Sequence, residues 1–211
     1  VVTIRPSYGL FIGGEFVDSK DGSAFKTISP ASEEVLAEVT EASEADVDAA
    51  VAAARKAFEG PWGRLSGAER GKYMFRIARI LQERAREFAV LETLDNGKPI
   101  KESRDVDIPL AAAHFFYYAG WADKLEHAGL SGGSGQTTRP IGVVGQVIPW
   151  NFPMLMLSWK IAPALSSRTP VVLKPPKTTP LTALLFPQAT HPADLPHGVV
   201  TIPPAPHRTT P

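Results

Sequence analysis

Hydrophobic residues in the first part of the chain follow two different periods. The segment "GLFIGGEFVDSKDGSAFKTISP", residues 9–30, predicts a β-hairpin, in which Leu10 to Val17 is strand-like around Gly13-Gly14 and Asp21-Gly22 is a turn signal. The segment "EEVLAEVT" alternates and predicts a further strand. Ser43 is then a typical N-cap, and hydrophobic residues recur at helical spacing from Val47 to Phe58. Strands therefore give way to a helix near Ser43.

A helical pattern continues after Gly60-Pro61. Ser66 and Glu69 have the spacing of a capping box, which indicates the start of a helix. One apolar face follows, formed by Met74, Ile77, Leu81, Phe88 and Leu91. The pattern predicts one long helix that stops at Asn96-Gly97. A third helix is predicted over much of Asp105 to His127.

The pattern changes after Ser131 to Thr138, a Gly/Ser-rich connector. Here "IGVVGQVIP" predicts a strand, "MLMLSWKIAPALSS" a helix, and "TPVVLKP" a second strand. The segment "TPLTALLF" opens another helix, and Gly198 to Ile202 is the candidate third strand. Apolar strands alternating with helices predict an α/β fold with a parallel, doubly wound sheet.

Prolines are concentrated toward the end of the chain. Pro187 and Pro192 fall where the last predicted helix would continue, and an interior proline costs about 3 kcal/mol in a helix. We therefore expect that helix to end near Phe186 or to be kinked. The final "IPPAPHRTTP" predicts an irregular tail.

Composition narrows the classes of function. Hydrophobic residues make up 44% and charged residues 21% of the 211 residues, as in soluble globular proteins. Lys+Arg and Asp+Glu balance at 22 each, which argues against a nucleic-acid or acidic-membrane partner. No apolar run reaches the ~18–20 residues that span a bilayer, and the N-terminus has no signal-peptide pattern. We expect a cytoplasmic protein.

The sequence has no cysteine, which excludes disulfides, Cys-ligated metals and a thiol nucleophile within these residues. Its five histidines include no pair at the i,i+4 spacing of a helical zinc site. We therefore predict no metal site.

The run "IPWNFP", from Ile148 to Pro153, closely resembles a segment of the NAD(P)-dependent aldehyde dehydrogenase superfamily. The likeness covers most of the chain, including "LFIGGEFVDS", "LETLDNGKP", "YYAGWADK" and "VVLKP". It corresponds to the N-terminal, cofactor-binding part of such enzymes. The resemblance implies an aldehyde-dehydrogenase-like α/β fold. In that fold an N-terminal β-hairpin and helices lead into an incomplete Rossmann-like, doubly wound parallel sheet.

The resemblance also implies a division of the chain. Residues 1–130 would form the N-terminal hairpin and helical part of the cofactor domain. Residues 131–140 would be a Gly/Ser connector in the region of the oligomerisation arm. Residues 141–202 would form the first strand-helix-strand units of the nucleotide-binding sheet, followed by a Pro-rich tail, 203–211.

The chemistry implied by the resemblance is oxidation of an aldehyde to a carboxylic acid through a thiohemiacetal, with NAD or NADP as the cofactor. The family's nucleophilic cysteine and general-base glutamate lie outside the part that this chain matches. The 211 residues alone are therefore predicted to be inactive. The resemblance further implies a small-molecule aldehyde substrate and a homo-oligomer, a dimer or a tetramer.

Asn151 matches the family's oxyanion-hole asparagine. An amide donates a hydrogen bond to a developing oxyanion without losing its own proton. Pro149 and Pro153 restrict the backbone on both sides. The structural alternative is that Asn151 caps the following helix or satisfies a turn.

Four residues before Asn151 fall where family members line the cofactor groove, namely Val147, Ile148, Pro149 and Trp150. The carboxyl ends of parallel strands are also where α/β sheets bind ligands in general. The alternative for Trp150 is a place in the core. Lys174, at the end of "VVLKP", matches the lysine that binds the adenosine ribose, whereas a strand-end lysine is more often solvated.

Lys177 stands where the family often has a glutamate that disfavours a 2′-phosphate. A lysine there predicts weaker preference for NAD and acceptance of NADP. The alternative is that Lys177 is simply an exposed surface residue.

Two other functions remain open at this point. The first is a catalytically incomplete dinucleotide-binding or assembly module, which the absence of cysteine favours. The second is a CoA-acylating relative, which shares this part of the sequence.

Overall fold

A computed structural model of the protein describes residues 2–20, 22–125 and 139–206. The predicted connector Ser131 to Thr138 and the predicted helix end at His127 lie outside the described residues. The strands of the described part are β1 Ser7–Tyr8, β2 Leu10–Ile12, β3 Glu15–Val17, β4 Ala24–Ile28, β5 Val35–Thr40, β6 Val144–Val147, β7 Val171–Lys174 and β8 Val200–Thr201.

The helices lie between and around these strands. They are α1 Glu44–Glu59, α2 Pro61–Arg64, α3 Gly67–Glu83, α4 Ala85–Asn96, α5 Ile100–Glu102, α6 Ile108–Trp121, α7 Pro153–Ser166 and α8 Leu181–Thr190. A π-helical turn, Ser103–Asp107, precedes α6, and a 3-10 turn, His191–Ala193, follows α8. None of the helices within these described ranges is long and apolar enough to cross a membrane.

The local sequence signals of the N-terminal part are confirmed. A hairpin is present, but β2 and β3 pair antiparallel across Gly13-Gly14, inside the stretch expected to be strand-like as a whole, and β4 pairs with β5. Ser43 caps α1 through a capping box with Asp46, and Ser66 caps α3 through a capping box with Glu69. Helix α4 ends at Asn96 with Gly97 in the left-handed conformation. Each of these features depends on residues close together in sequence.

The single long helix predicted between Ser66 and Asn96 is wrong. The chain forms α3 and α4 instead, separated at Arg84, whose backbone leaves the helical region with ψ 17°. The Arg84 guanidinium binds Glu87 at 2.6 and 2.8 Å on the first turn of α4. The apolar face nevertheless stays buried on both helices, because Met74, Leu81 and Phe88 are each 0% exposed.

The second half forms the predicted parallel sheet in the order β6-β7-β8. Helix α7 connects β6 to β7, and α8 connects β7 to β8. This arrangement confirms the α/β class and the strand–helix–strand pattern. Pro163 lies in the last turn of α7.

Of the two outcomes expected at Pro187, an end of α8 near Phe186 is not found, because the helix continues to Thr190 with Pro187 inside it. Nearly every residue of α8 is buried, and Phe186 is 1% exposed. The Thr190 hydroxyl donates to the carbonyl of Phe186 at 2.7 Å. Burial of both sides of the helix therefore outweighs the hydrogen bond that Pro187 cannot donate.

The N-terminal hairpin reaches the parallel sheet. Phe11 and Ile202 form an antiparallel bridge with hydrogen bonds of 3.1 and 2.8 Å, so β2 covers the outer edge of β8. The tail residues Pro203 and Pro204 form no helix or strand, yet both are buried, and the Pro204 carbonyl accepts from the Ala42 N–H at 2.6 Å. One apolar core joins the helical layer to the sheet.

Candidate functional site

The carboxyl ends of β6 and β7 lie side by side. Val147 pairs with Lys174 in the parallel register, and the N–H of Ile148 donates to the carbonyl of Lys174 at 3.3 Å. The chain leaves β6 there and turns through Pro149, Trp150 and Asn151 into α7. The predicted site residues are thus gathered at the edge where parallel sheets bind ligands.

Val147 and Lys174 line the same groove between the sheet and α1. Arg55, on α1, contributes a further cation to that groove. Burial lowers the pKa of the Lys174 ammonium, and the nearby Lys177 cation lowers it further. A groove with apolar walls and two cations suits a ligand that is both aromatic and anionic.

The other predicted cofactor residues have different exposures. Trp150 is 62% exposed, so the alternative that it fills the core is wrong, and Pro149 is exposed as well. Ile148 is 2% exposed because its side chain belongs to the core. Ile148 can therefore offer a ligand only its backbone.

The backbone around Asn151 is held by side chains from the end of α4 and the loop after it. The Asn96 amide donates to the carbonyl of Trp150 at 2.6 Å, and the Lys98 ammonium donates to the carbonyl of Asn151 at 2.8 Å. The Thr179 hydroxyl lies 3.4 Å from the same Trp150 carbonyl. Two consecutive carbonyls of the turn are thus satisfied by side chains that lie far away in sequence.

Helix α7 is capped from a distance. Its N-cap residue is Phe152, whose side chain cannot accept a hydrogen bond, and the N–H of Met154 donates to Glu92 at 3.2 Å. The structure does not show the cap that Asn151 could have provided. The Asn151 side chain is exposed and makes no hydrogen bond with the described part of the chain. Its amide donor is consequently available to a ligand.

Three charged groups are buried directly below this turn. The Lys98 ammonium lies 2.7 Å from Asp107 and 3.4 Å from Glu92, and both carboxylate side chains are 0% exposed. Burial raises the pKa of Glu92 to about 7; the Lys98 cation opposes the shift and the Asp107 charge adds to it. Burial of Glu92 and the nearby Asp107 charge therefore outweigh the attraction of the single Lys98 cation.

Asp95 lies one helical turn after Glu92 on α4, and its carboxylate caps the start of α8. It accepts from the N–H of Leu181, the first residue of α8, at 2.8 Å and from the hydroxyl of Thr27 at 2.8 Å. Burial raises the pKa of Asp95 to about 7, although both hydrogen bonds lower it. One face of α4 thus supports the starts of both α7 and α8.

Lys177 is paired within the chain. Its ammonium binds Glu41 at 2.5 Å and lies 5.1 Å from the centre of the Phe25 ring. Its side chain remains 40% exposed. The cation predicted to accept a 2′-phosphate is therefore shared with a carboxylate.

Sequence reasoning missed the polar residues that support the turn and the starts of α7 and α8, namely the buried Glu92, Asp95, Lys98 and Asp107 and the half-buried Asn96. The signal was present, since two carboxylates at i,i+3 interrupt the helical pattern just before a Gly-Lys-Pro turn. Acidic residues at such spacing usually form a solvated face. Only the fold shows that this face is covered by α7 and α8.

The residues gathered at the site offer hydrogen-bond donors and positive charge to a ligand. An exposed amide donor and a strand-end ammonium can stabilise negative charge on a ligand. The sequence supplies no cysteine. Within the part of the chain that the structure describes, no group of three or more His, Asp or Glu side chains could hold a metal ion.

Comparison with known proteins gives consistent matches. The model of the aldehyde dehydrogenase family matches residues 16–210. Aldehyde dehydrogenase 1 of Tanacetum cinerariifolium is 48% identical over 92% of this chain and 40% of its own length. The mitochondrial benzaldehyde dehydrogenase of Antirrhinum majus is 46% identical over 92% of this chain and 37% of its own length.

Solved structures agree with these matches. The NAD⁺ complex of the aldehyde dehydrogenase from Bacillus cereus has a TM-score of 0.90 and 41% identity, covering 97% of this chain and 43% of that one. The chain thus spans about 40% of the length of the curated relatives it matches.

Proposed function

The chain belongs to the aldehyde dehydrogenase family, and we propose that it is the cofactor-binding portion of an enzyme that oxidises an aldehyde to a carboxylic acid with NAD or NADP. The observation that carries this proposal is the exposed Asn151 amide beside the paired ends of β6 and β7. A turn whose carbonyls are already satisfied presents that amide to a ligand.

Several features of the groove suit a nicotinamide dinucleotide. Val147 and Lys174 face the same groove, and the Lys174 ammonium can donate to ribose hydroxyls. Ile148 would contribute its backbone, while Pro149 and Trp150 would cover the opening. The cofactor, when bound, supplies a hydride acceptor.

Asn151 would act on the substrate rather than on the cofactor. Attack of a thiolate on the aldehyde carbonyl forms a thiohemiacetal and leaves negative charge on its oxygen. The Asn151 amide would donate to that oxygen and so lower the barrier. The thiol would come from outside these residues, because the sequence has no cysteine; the likeness to the family implies the same for the general-base glutamate.

The test is the variant Asn151→Ala in the complete natural protein, assayed with acetaldehyde and NAD⁺. We expect kcat to fall by about 10²- to 10³-fold, the loss usual for one oxyanion donor. The KM for NAD⁺ should change little, and the 211-residue chain alone should form no NADH. Full activity of Asn151→Ala would contradict the role assigned to this residue.

A second candidate function is a dinucleotide-binding or assembly module without catalysis, favoured by the absence of a thiol. Both candidate functions require the 211-residue chain to bind a dinucleotide, and calorimetry with NAD⁺ tests this directly. We expect binding that weakens in Lys174→Met. If the complete natural protein also lacks a cysteine and oxidises no aldehyde, the module is the better description.

A further inference from the structure

We propose that Glu92, Asn96 and Lys98, together called the α4 clamp, are positioning residues that hold the Asn151 amide in place. The inference rests on the proposed function of Asn151 as the oxyanion donor. None of the three residues would touch the substrate. They would act on the reaction only through the backbone on either side of Asn151.

The clamp holds both sides of that residue. Asn96 binds the carbonyl just before Asn151, and Lys98 binds the carbonyl of Asn151 itself. Glu92 binds the N–H of Met154, at the start of the helix that follows. Since the backbone before and after Asn151 is fixed, the origin of its side chain is fixed as well.

A remote cap frees Asn151 for another role. Asparagine is among the best residues for capping a helix, and Asn151 lies close to the start of α7. The cap is nevertheless supplied by Glu92, 62 residues earlier in the chain. The amide that would ordinarily be used in a local hydrogen bond is left facing solvent.

The hydrogen bonds of Lys98 are fully used inside the protein. Its ammonium has three protons, and its three acceptors are Asp107, Glu92 and the carbonyl of Asn151. Its nitrogen also lies 4.6 Å from the centre of the Phe152 ring. Lys98 is therefore not free to bind a cofactor, and its contacts all lead to the turn.

Stability alone does not account for the cluster. Buried ion pairs often stabilise a protein no more than well-packed apolar residues of the same volume. Here the buried charges join α4, the π-helical turn that ends at Asp107 and the Asn151 turn. Together these contacts fix the backbone conformation at Asn151.

Hydrogen exchange tests the clamp without any catalytic assay. In the complete natural protein, Glu92→Met removes the acceptor of the Met154 N–H, whereas Glu92→Gln keeps an acceptor oxygen. We expect exchange of the Met154 amide to rise roughly tenfold or more in Glu92→Met, since local opening governs protection there. Glu92→Gln should stay near the wild type. The β5 amides and the exposed control Glu102→Met should not change.

Kinetics with acetaldehyde and NAD⁺ tests whether the clamp acts through Asn151. We expect Lys98→Met to lower kcat by roughly 10- to 100-fold, because small displacements of a reacting group are costly. The KM for NAD⁺ should stay close to the wild type, and the exposed control Lys101→Met should be unaffected. In an Asn151→Ala background, Lys98→Met should have almost no further effect on kcat.

The outcomes distinguish a failure of the α4 clamp from a failure of the proposed role of Asn151. If the Lys98→Met and Asn151→Ala effects simply multiply, or if Met154 exchange is unchanged in Glu92→Met, the clamp is overturned. If Asn151→Ala has normal kcat while the exchange result holds, the proposed function fails instead. Should Lys98→Met not fold, Lys98→Met combined with Asp107→Asn removes the cation together with one of its two carboxylates and provides the same comparison.

Discussion

Asp95 accepts a hydrogen bond of 2.8 Å from the backbone N–H of Leu181, 86 residues later in the chain. One turn earlier on the same helix, Glu92 does the same for Met154. Helix N-termini carry partial positive charge, so both carboxylates are placed where they are favourable. A single turn of α4 therefore fixes where α7 and α8 begin, and with them the loops that follow β6 and β7.

The first prediction concerns Asp95→Asn and the dependence of stability on pH. The pKa of Asp95 is raised from 3.8 to about 7 in the folded protein, because the ionised form is buried. The folded state then binds more protons than the unfolded state between these values, so stability falls as pH rises through them. Asparagine does not titrate and can keep both hydrogen bonds. We expect Asp95→Asn to remove roughly 2–4 kcal/mol of this loss.

Thermal melts between about pH 5 and 8 measure the effect. The wild type should lose more Tm across this range than Asp95→Asn does. The exposed control Asp105→Asn makes the same chemical change on the surface and should leave the slope as it is, since the pKa of Asp105 is lowered by Arg104. Parallel slopes for wild type and Asp95→Asn would show that Asp95 is ionised throughout.

The second prediction is that Arg168→Gly stabilises the protein. Arg168 follows α7 with φ at 67°, a conformation that strains every side chain with a Cβ. We expect a gain of about 1 kcal/mol in the free energy of unfolding, after the extra freedom of glycine in the unfolded chain is subtracted. Urea denaturation provides the measurement. The matched control Arg79→Gly, inside α3, should instead lose about 1 kcal/mol.

The third prediction is that Gly198→Ala destabilises the protein strongly. Gly198 has φ at 83°, and a Cβ there would collide with the backbone carbonyl of Ala53 on α1. Gly13 has φ at 65° but no described atom within 4 Å of such a Cβ. Gly13→Ala should therefore lose only about 1–2 kcal/mol, the backbone term alone. Urea denaturation gives the free energy of unfolding of both variants, and the difference between their losses measures the collision with Ala53. Equal losses would contradict such a collision.

The fourth prediction is that Glu41→Gln shifts cofactor preference toward NADP. The Glu41 carboxylate neutralises Lys177, and its removal would leave that ammonium free to attract a 2′-phosphate. We expect the ratio of NADP⁺ to NAD⁺ affinity, measured by calorimetry, to rise by roughly tenfold, about one charged hydrogen bond. Glu38→Gln, an exposed change on β5, is the control. An unchanged ratio in Glu41→Gln would place Lys177 away from the ribose.

Structural features that depend only on neighbouring residues could be predicted from the sequence. The N-caps at Ser43 and Ser66 each need only a few consecutive positions, and a hairpin was expected in the N-terminal segment, although its turn lies at Gly13-Gly14. The parallel unit was readable as well, because β7 and β8 are buried on both sides and their sequences are largely apolar. In the site, the sequence placed Val147 and Lys174 correctly at adjoining strand ends.

Features set by tertiary contact could not be read in this way. The break at Arg84 has no proline or glycine to mark it in the sequence, although these residues most often end a helix. Helix α8 continues past Pro187 because its surroundings bury it. The pairing of Glu92 with Met154 and of Lys98 with Asn151 joins segments more than 50 positions apart.

The bridge between Phe11 and Ile202 has a kinetic consequence. It joins residues separated by almost the whole sequence, so the hairpin can dock only after β8 has been synthesised and has left the ribosome. Contacts of such long range slow folding, because the chain loses loop entropy before the contact forms. During synthesis the apolar side chains of β2 would remain uncovered for longer than those of any local element.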